Sequence, residues 1–260
     1  MRGLDKPGEI LIMSVKVEAL KITKSFTGLD TIKDVSLSLE ENSFVSILGP
    51  SGCGKSTLFD IISGLEKPDM GTVLIEGKNC TGKTGRVSYM HQKDLLLPWK
   101  TVLDNCCIPS IIKGLSLKQS RERAASYFSL FGLSGFEKFY PGQLSGGMKQ
   151  RAALLRTYLF SDDIMLLDEP FGGLDAMTRR DMQLWLLKLL ENFKSSILFI
   201  THSVDEAIFL SDKIYLLSKR PATVRAVFEV NIERPRNYKV FTLDVFNKIK
   251  GEILNLLLDQ

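Results

Sequence analysis

Residues Gly49 to Thr57 read GPSGCGKST, set between the mostly apolar run SFVSILG and a segment that places Leu58, Ile61 and Ile62 at helical spacing. Few stretches this short constrain a fold more. The pattern G-x-x-x-x-G-K-[ST] spans Gly49 to Ser56, and its chemistry requires a buried strand, a glycine-rich loop and then a helix, here from Lys55. Glycines let backbone N–H groups close around phosphate oxygens, Lys55 adds a point charge to the outer phosphates, and Ser56 can bind Mg2+ through Oγ. The expected nucleotide-binding set is Gly49, Pro50, Ser51, Gly52, Cys53, Gly54, Lys55, Ser56 and Thr57. Cys53 lies near a helix N-terminus, which favours a thiolate; a small filler side chain at a tolerant position is the other reading.

The run IMLLDEP supplies apolar strand residues and then two carboxylates. Asp168, at the strand end, suits Mg2+ held through water, and Glu169 points on towards an attacking water. Phosphoryl transfer needs that division, because metal charge and water orientation are separate tasks. Around these motifs the chain alternates. VKVEALKITKSF and DTIKDVSLSLE read as strands, the second with Val35, Leu37 and Leu39 at period two, and GTVLIEG and RVSYMHQ follow as further strands. From about Pro98 the pattern turns helical, with TVLDNCCIPSIIKG, which Pro109 should kink or end, and LKQSRERAASYFSLFGL, which carries Ala124, Ala125, Phe128 and Phe131. Helix and strand then alternate through DIMLLDE, MTRRDMQLWLLKLLENF, SSILFIT, VDEAIFL and KIYLLS, which predicts an α/β fold with a parallel sheet and a helical insertion. ERPRN reads as a linker. The last segment places Phe246, Ile249, Ile253 and Leu256 on one helical face, to pack on its own domain or to serve a dimerisation or regulatory contact.

Composition narrows the partners. A formal net charge of +4 with no dense Lys/Arg block gives no argument for nucleic acid. No stretch approaches the roughly 18 uninterrupted apolar residues of a membrane span, and MRGLDKPGEILIM has a Pro and acidic residues where a signal peptide needs its apolar run. The expectation is a soluble, intracellular protein whose membrane connection comes through a partner, with Met13 an alternative start. Four cysteines without a C-x-x-C pair and two histidines, His91 and His202, point to reduced thiols and no zinc site.

A second glycine turn, QLSGGMKQR, opens another helix with Ser145 as its cap, and it would suit a negative ligand of its own. With the loop at 49–57 and the DE pair, LSGGMKQ makes the chain resemble the nucleotide-binding subunits of ATP-binding cassette (ABC) transporters. The resemblance runs roughly from Val15 to Val230. It implies a P-loop cassette with a mostly parallel core sheet, an N-terminal antiparallel β-subdomain and a helical subdomain at about 95–160, followed by a linker and terminal helix at 231–260. It implies that Gln92, in VSYMHQKD, senses Mg2+ and the attacking water, that His202 contacts the γ-phosphate, and that Asp175 lies at a dimer contact. It implies that Phe26 stacks on adenine, with a core Phe as the alternative. His91 receives no role.

In that family two subunits face each other head to tail, so Ser145, Gly146 and Gly147 of one chain would reach the γ-phosphate held by Lys55 of the other. The implied cofactors are ATP and Mg2+. The implied partners are a second copy, a membrane permease and, indirectly, a periplasmic or extracellular solute-binding protein, with the subunit on the cytoplasmic face. Leu95, Leu96, Leu97 and Trp99 are the candidate groove for a permease helix, with local packing as the alternative. LLPWKTVLDN, LLDEPFGGLDAMTR and LSKRPATV resemble importer subunits for nitrate, sulfonates, taurine and pyrimidine-type precursors. A non-transport ABC ATPase acting on nucleic acid or the ribosome is the other class considered; the spacing leaves no room for long coiled coils, and there is one cassette, not two.

Overall fold

The computed structural model describes residues 14–258. The readings of the signal region and of Met13 lie outside the described residues. In chain order the elements are β1 (Val15–Phe26), β2 (Leu29–Glu40), β3 (Phe44–Leu48), α1 (Lys55–Ser63), β4 (Met70–Ile75), β5 (Lys78–Asn79) and β6 (Ser88–Met90). The helices α2 (Val102–Ile112), α3 (Leu117–Phe128) and α4 (Gly146–Phe160) come next. Then follow β7 (Ile164–Asp168), α5 (Ala176–Asn192), β8 (Ser196–Thr201), α6 (Val204–Leu210), β9 (Lys213–Leu217), β10 (Val224–Glu229) and α7 (Asp244–Leu258).

The strands form a four-stranded antiparallel sheet, β2-β1-β4-β5, and a six-stranded sheet, β10-β9-β3-β8-β7-β6. Within the larger sheet only the edge strand β10 runs antiparallel, against β9. Every residue of β3, β7 and β8 is buried, as continuous apolar strands with both faces covered should be. Alternation divides their side chains between two cores. Ile47, Leu166, Leu198 and Ile200 join α1 and the antiparallel sheet, while Leu48, Leu167, Ile197 and Phe199 join the helices of the opposite layer. Parallel register aligns the C-terminal ends: Leu48 pairs with Thr201 and Leu216, Asp168 with Ile200, and Met90 with Leu167. The loops after β3, β6, β7, β8 and β9 therefore emerge along one edge, the edge at which open α/β sheets bind ligands.

In the helical layer α2 packs on α3 and α4. Thr101 caps α2 by accepting from Asp104 N at 3.2 Å, and Ser116 and Gln119 form a capping box on α3. Pro109 neither ends α2 nor breaks it, since the helix continues to Ile112. Pro109 is itself buried, and its packing with the surrounding core offsets one missing backbone hydrogen bond this close to the helix end. Phe131 falls beyond α3 yet remains fully buried.

The terminal helix α7 lays Phe246, Ile249 and Ile253 on the same core, against α6, with Leu256 partly buried beside them. Arg236 fastens the chain leading to it: the buried guanidinium donates to the carbonyls of Ile208, Phe209, Ser211 and Ile232 at 2.8–3.1 Å. No helix among the described residues is long and apolar enough to cross a membrane.

Candidate active site

The loop after β3 closes on itself before it meets any ligand. Lys55 is buried, and its Nζ donates to Gly49 O at 2.8 Å and Pro50 O at 2.9 Å. Gly54 sits at φ 120°, and a Cβ there would lie 3.0 Å from Thr31 Cγ2, so strand β2 presses directly on the loop. No side chain caps α1, which leaves its first N–H groups for an anion. A cavity of about 290 Å³ opens in front of them, lined by Ser51, Gly52, Gly54, Lys55, Ser56, Thr57, Gln92, Glu169 and Arg220.

Two further groups close in from β7 and β8. Asp168 is buried at the end of β7, beside the Ser56 hydroxyl; burial pushes its carboxyl above the usual range while the Ser56 hydrogen bond opposes the shift. Tyr89 Oη donates to Asp168 Oδ2 at 3.5 Å, and the Tyr89 ring packs against His91, tilted by 32°, with centroids 3.9 Å apart. Glu169 adopts φ 44°, a left-handed conformation costly for a residue with a Cβ. That turn brings its Oε2 to 3.2 Å from Gln92 Nε2, which donates to it, and to 3.3 Å from His202 Nδ1. Beneath His202, Thr201 Oγ1 donates to Glu206 Oε2 at 2.6 Å and Gln183 Nε2 donates to Glu206 Oε1 at 3.0 Å, which fixes the start of α6.

The residues fit a magnesium ion. A buried carboxylate, a hydroxyl and an amide oxygen are hard oxygen donors, and Mg2+ typically takes only one or two protein ligands beside substrate phosphates and water. Among the described residues no cluster of three or more His, Cys, Asp or Glu side chains is placed to hold a metal unaided.

The second glycine turn lies elsewhere. Ser145 caps α4 by accepting from Met148 N at 3.3 Å, and it is exposed. Gly147 is packed so closely that a Cβ would stand 2.9 Å from Thr178 Cγ2 on α5, and one on Gly146 would stand 3.3 Å from Leu174. Asp175 caps α5 through Met177 N and Thr178 N, both at 3.0 Å, and the Thr178 side chain, followed by these backbone bonds, holds its carboxyl below the usual range. Ser145, Gly146, Gly147 and Asp175 thus meet one another through α4 and α5, and none of them lines the cavity. Phe26, at the end of β1, is 41% exposed with Lys24 Nζ 4.9 Å from its ring centre, so it is not a core side chain.

One alternative is decided and one expectation needs correction. Cys53 is buried, and burial pushes its thiol up, so the thiolate expected from the helix N-terminus is not favoured. N-ethylmaleimide at pH 7 should therefore leave Cys53 intact while the chain is folded and modify it after denaturation; peptide mass spectrometry reads the difference. Of the four groove candidates, only Leu95 (52%) and Trp99 (71%) are exposed; Leu96 is buried and Leu97 half-buried. Asn105 holds that segment from within, accepting from Leu97 N at 2.7 Å and donating to Leu97 O at 3.1 Å. The sequence reading missed Tyr89 and Arg220, because a tyrosine in a strand and an arginine in a surface turn carry no motif of their own.

A P-loop at the carboxyl edge of a parallel sheet, facing two carboxylates, an amide and a histidine, defines a nucleoside-triphosphate hydrolase. The ABC transporter family model matches residues 32–172. The formylaminopyrimidine import ATP-binding protein of Halalkalibacterium halodurans is 40% identical over 233 residues, 88% of this chain and 90% of that protein. An aliphatic sulfonates import ATP-binding protein of Bacillus thuringiensis is 38% identical over 246 residues, 93% of this chain and 95% of that one. Among solved structures, a bacterial ABC transporter cassette in dimeric form matches with TM-score 0.73 and 31% identity, over 84% of this chain and all of that one. The chain belongs to the ABC transporter family, as its ATP-binding cassette.

Proposed function

We propose that the chain is the ATP-hydrolysing subunit of an importer for a small solute, and that it works as a pair of identical cassettes held on the cytoplasmic face by a membrane permease. The observation that carries this reading is the meeting of Lys55, Ser56, Asp168, Gln92, Glu169 and His202 at the carboxyl edge of one sheet, while the second glycine turn does not line that cavity. Residues 49–57 wrap the phosphates, and Lys55 leaves the carbonyls of Gly49 and Pro50 to meet the outer ones. Ser56, Asp168 and Gln92 hold Mg2+, which neutralises developing charge on the phosphates when it is bound. Glu169 accepts a hydrogen bond from the attacking water, with Gln92 and His202 fixing its carboxylate, and His202 reaches the γ-phosphate. Phe26 stacks on the adenine.

In the pair, the turn of Ser145, Gly146 and Gly147, with Asp175 beside it, completes the site of the other chain. ATP then acts as a bridge whose charge is neutralised only on closure, and hydrolysis releases it. The fit of the opposite functions to separate surfaces supports this, as does the dimeric form of the similar cassette. Leu95 and Trp99, exposed on a segment braced by Asn105, dock the permease and pass the motion to it. A solute-binding protein outside the membrane contributes through the permease. The cargo is a small solute of the nitrate, sulfonate or taurine kind or a related organic compound, a reading that the similarity to formylaminopyrimidine and aliphatic sulfonates import ATP-binding proteins supports.

The test is reconstitution with the permease that co-purifies with the chain. Trp99→Ala should leave the ATPase of the isolated subunit unchanged and lower solute-stimulated ATPase about tenfold, the order expected for losing a buried aromatic anchor at an interface. Unchanged coupling would remove Trp99 from the docking surface.

A further inference from the structure

The turn after β9 brings a cation to the phosphate cavity from outside the nucleotide-binding loop. Arg220 is exposed, lines the cavity with Lys55, Gln92 and Glu169, and donates through Nη2 to the carbonyl of Gly52. The turn that carries it is stitched at both ends. Ser218 Oγ donates to Lys219 O at 2.9 Å and accepts from Thr223 N at 3.0 Å. Ala222 N donates to Thr31 O and Lys33 N to Ala222 O, both at 2.9 Å, which joins the turn to β2. The same part of β2 abuts Gly54, and Leu217 abuts Gly49, so the turn and the loop form one packed unit. A long flexible side chain is therefore presented from a rigid base.

We propose that Arg220 is a nucleotide-contacting residue, a second cation that meets the outer phosphates once they occupy the cavity. The inference rests on the reading of this cavity as an ATP site. A polyphosphate brings several negative charges, whereas Lys55 supplies one positive charge and already shares it with two loop carbonyls. A guanidinium has five N–H donors in a planar fork, and the contact with Gly52 leaves donors for phosphate oxygens. Phosphate is also the stronger acceptor, because it is itself ionised and can take two guanidinium N–H groups in parallel, which the Gly52 carbonyl cannot. The nucleotide should thus draw Arg220 from Gly52 O, without any shift of the turn itself.

The experiment is equilibrium binding of AMP, ADP and ATP to the full chain in EDTA, where hydrolysis is absent and closure around Mg2+-ATP is prevented, with wild type, Arg220→Gln and Arg220→Lys compared. The proposal expects Arg220→Gln to weaken ATP about tenfold and ADP less, with AMP unchanged. Arg220→Lys should recover part of the loss, and the difference between wild type and Arg220→Gln should shrink at high salt. Thermal melting without nucleotide should be the same for all three. A loss of equal size for AMP, ADP and ATP, or a lowered melting temperature, would mean that Arg220 only braces Gly52 and would overturn the proposal. Arg220→Gln with wild-type affinities would overturn it as well. A wild-type chain that bound none of the three nucleotides would instead sink the ATPase reading itself.

Discussion

Glu169→Gln should bind ATP as the parent does and hydrolyse it about 10²–10⁴-fold more slowly, the range for removing a general base. The substitution preserves length and shape, so Gln92 and His202 keep a neighbour, but the acceptor of the water's proton is gone. The left-handed backbone at Glu169 places its carboxylate within hydrogen-bonding reach of both residues, 3.2 Å from Gln92 Nε2 and 3.3 Å from His202 Nδ1. Single-turnover hydrolysis reads the rate, and size-exclusion chromatography with Mg2+-ATP should show paired chains accumulating because the bridge is no longer cleaved. A variant with parental turnover would remove Glu169 from the chemistry. One that stayed monomeric with saturating nucleotide, even with its permease, would undercut the sandwich.

Ser145→Arg should separate binding from hydrolysis more sharply. Ser145 is exposed, caps α4 and does not line the cavity, so ATP should bind the single chain with unchanged affinity. Losing the cap costs about 1 kcal/mol of stability, which a buried core of this extent tolerates. Hydrolysis should fall by at least about a hundredfold, the order seen when one preorganised donor to a developing charge is removed, here with added bulk between the chains. Fluorescent-nucleotide binding and steady-state ATPase measure the two effects. Loss of binding together with hydrolysis would return the turn to its own subunit's site.

The parts of this fold that follow a motif or a strong period were legible from residues alone. SFVSILG, IMLLDE and SSILFIT read as buried parallel strands, and Ser145 sat where a cap was needed. The edge strand β10 was not legible, because VRAVFE alternates half-buried and exposed residues of mixed polarity and gains its order only from pairing with β9. Pro109 does not end α2, because local backbone chemistry alone leaves out the burial of its ring. At the site, the glycine loop and the Asp168–Glu169 pair announce their chemistry through residue type and spacing. Arg220 does not, for it reaches the cavity from more than 160 positions away through strand register. Choosing between the two readings of Cys53 needed the same information: a helix N-terminus is visible in sequence, whereas the layer that buries the thiol and makes it a filler side chain is not.

The separation of Ser145 from the cavity of its own chain has a consequence for heredity. In the proposed pair, a damaged turn injures the site of the neighbour and leaves the carrier's own site whole if the neighbour is sound. A cell making equal amounts of sound and Ser145→Arg chains would assemble roughly a quarter of its pairs free of damage, by random association of two copies. If both sites must fire for a transport cycle, one faulty gene copy would silence about half of the sound protein too, by capturing it in mixed pairs. The mutation would be dominant, and its severity would be set by the statistics of pairing.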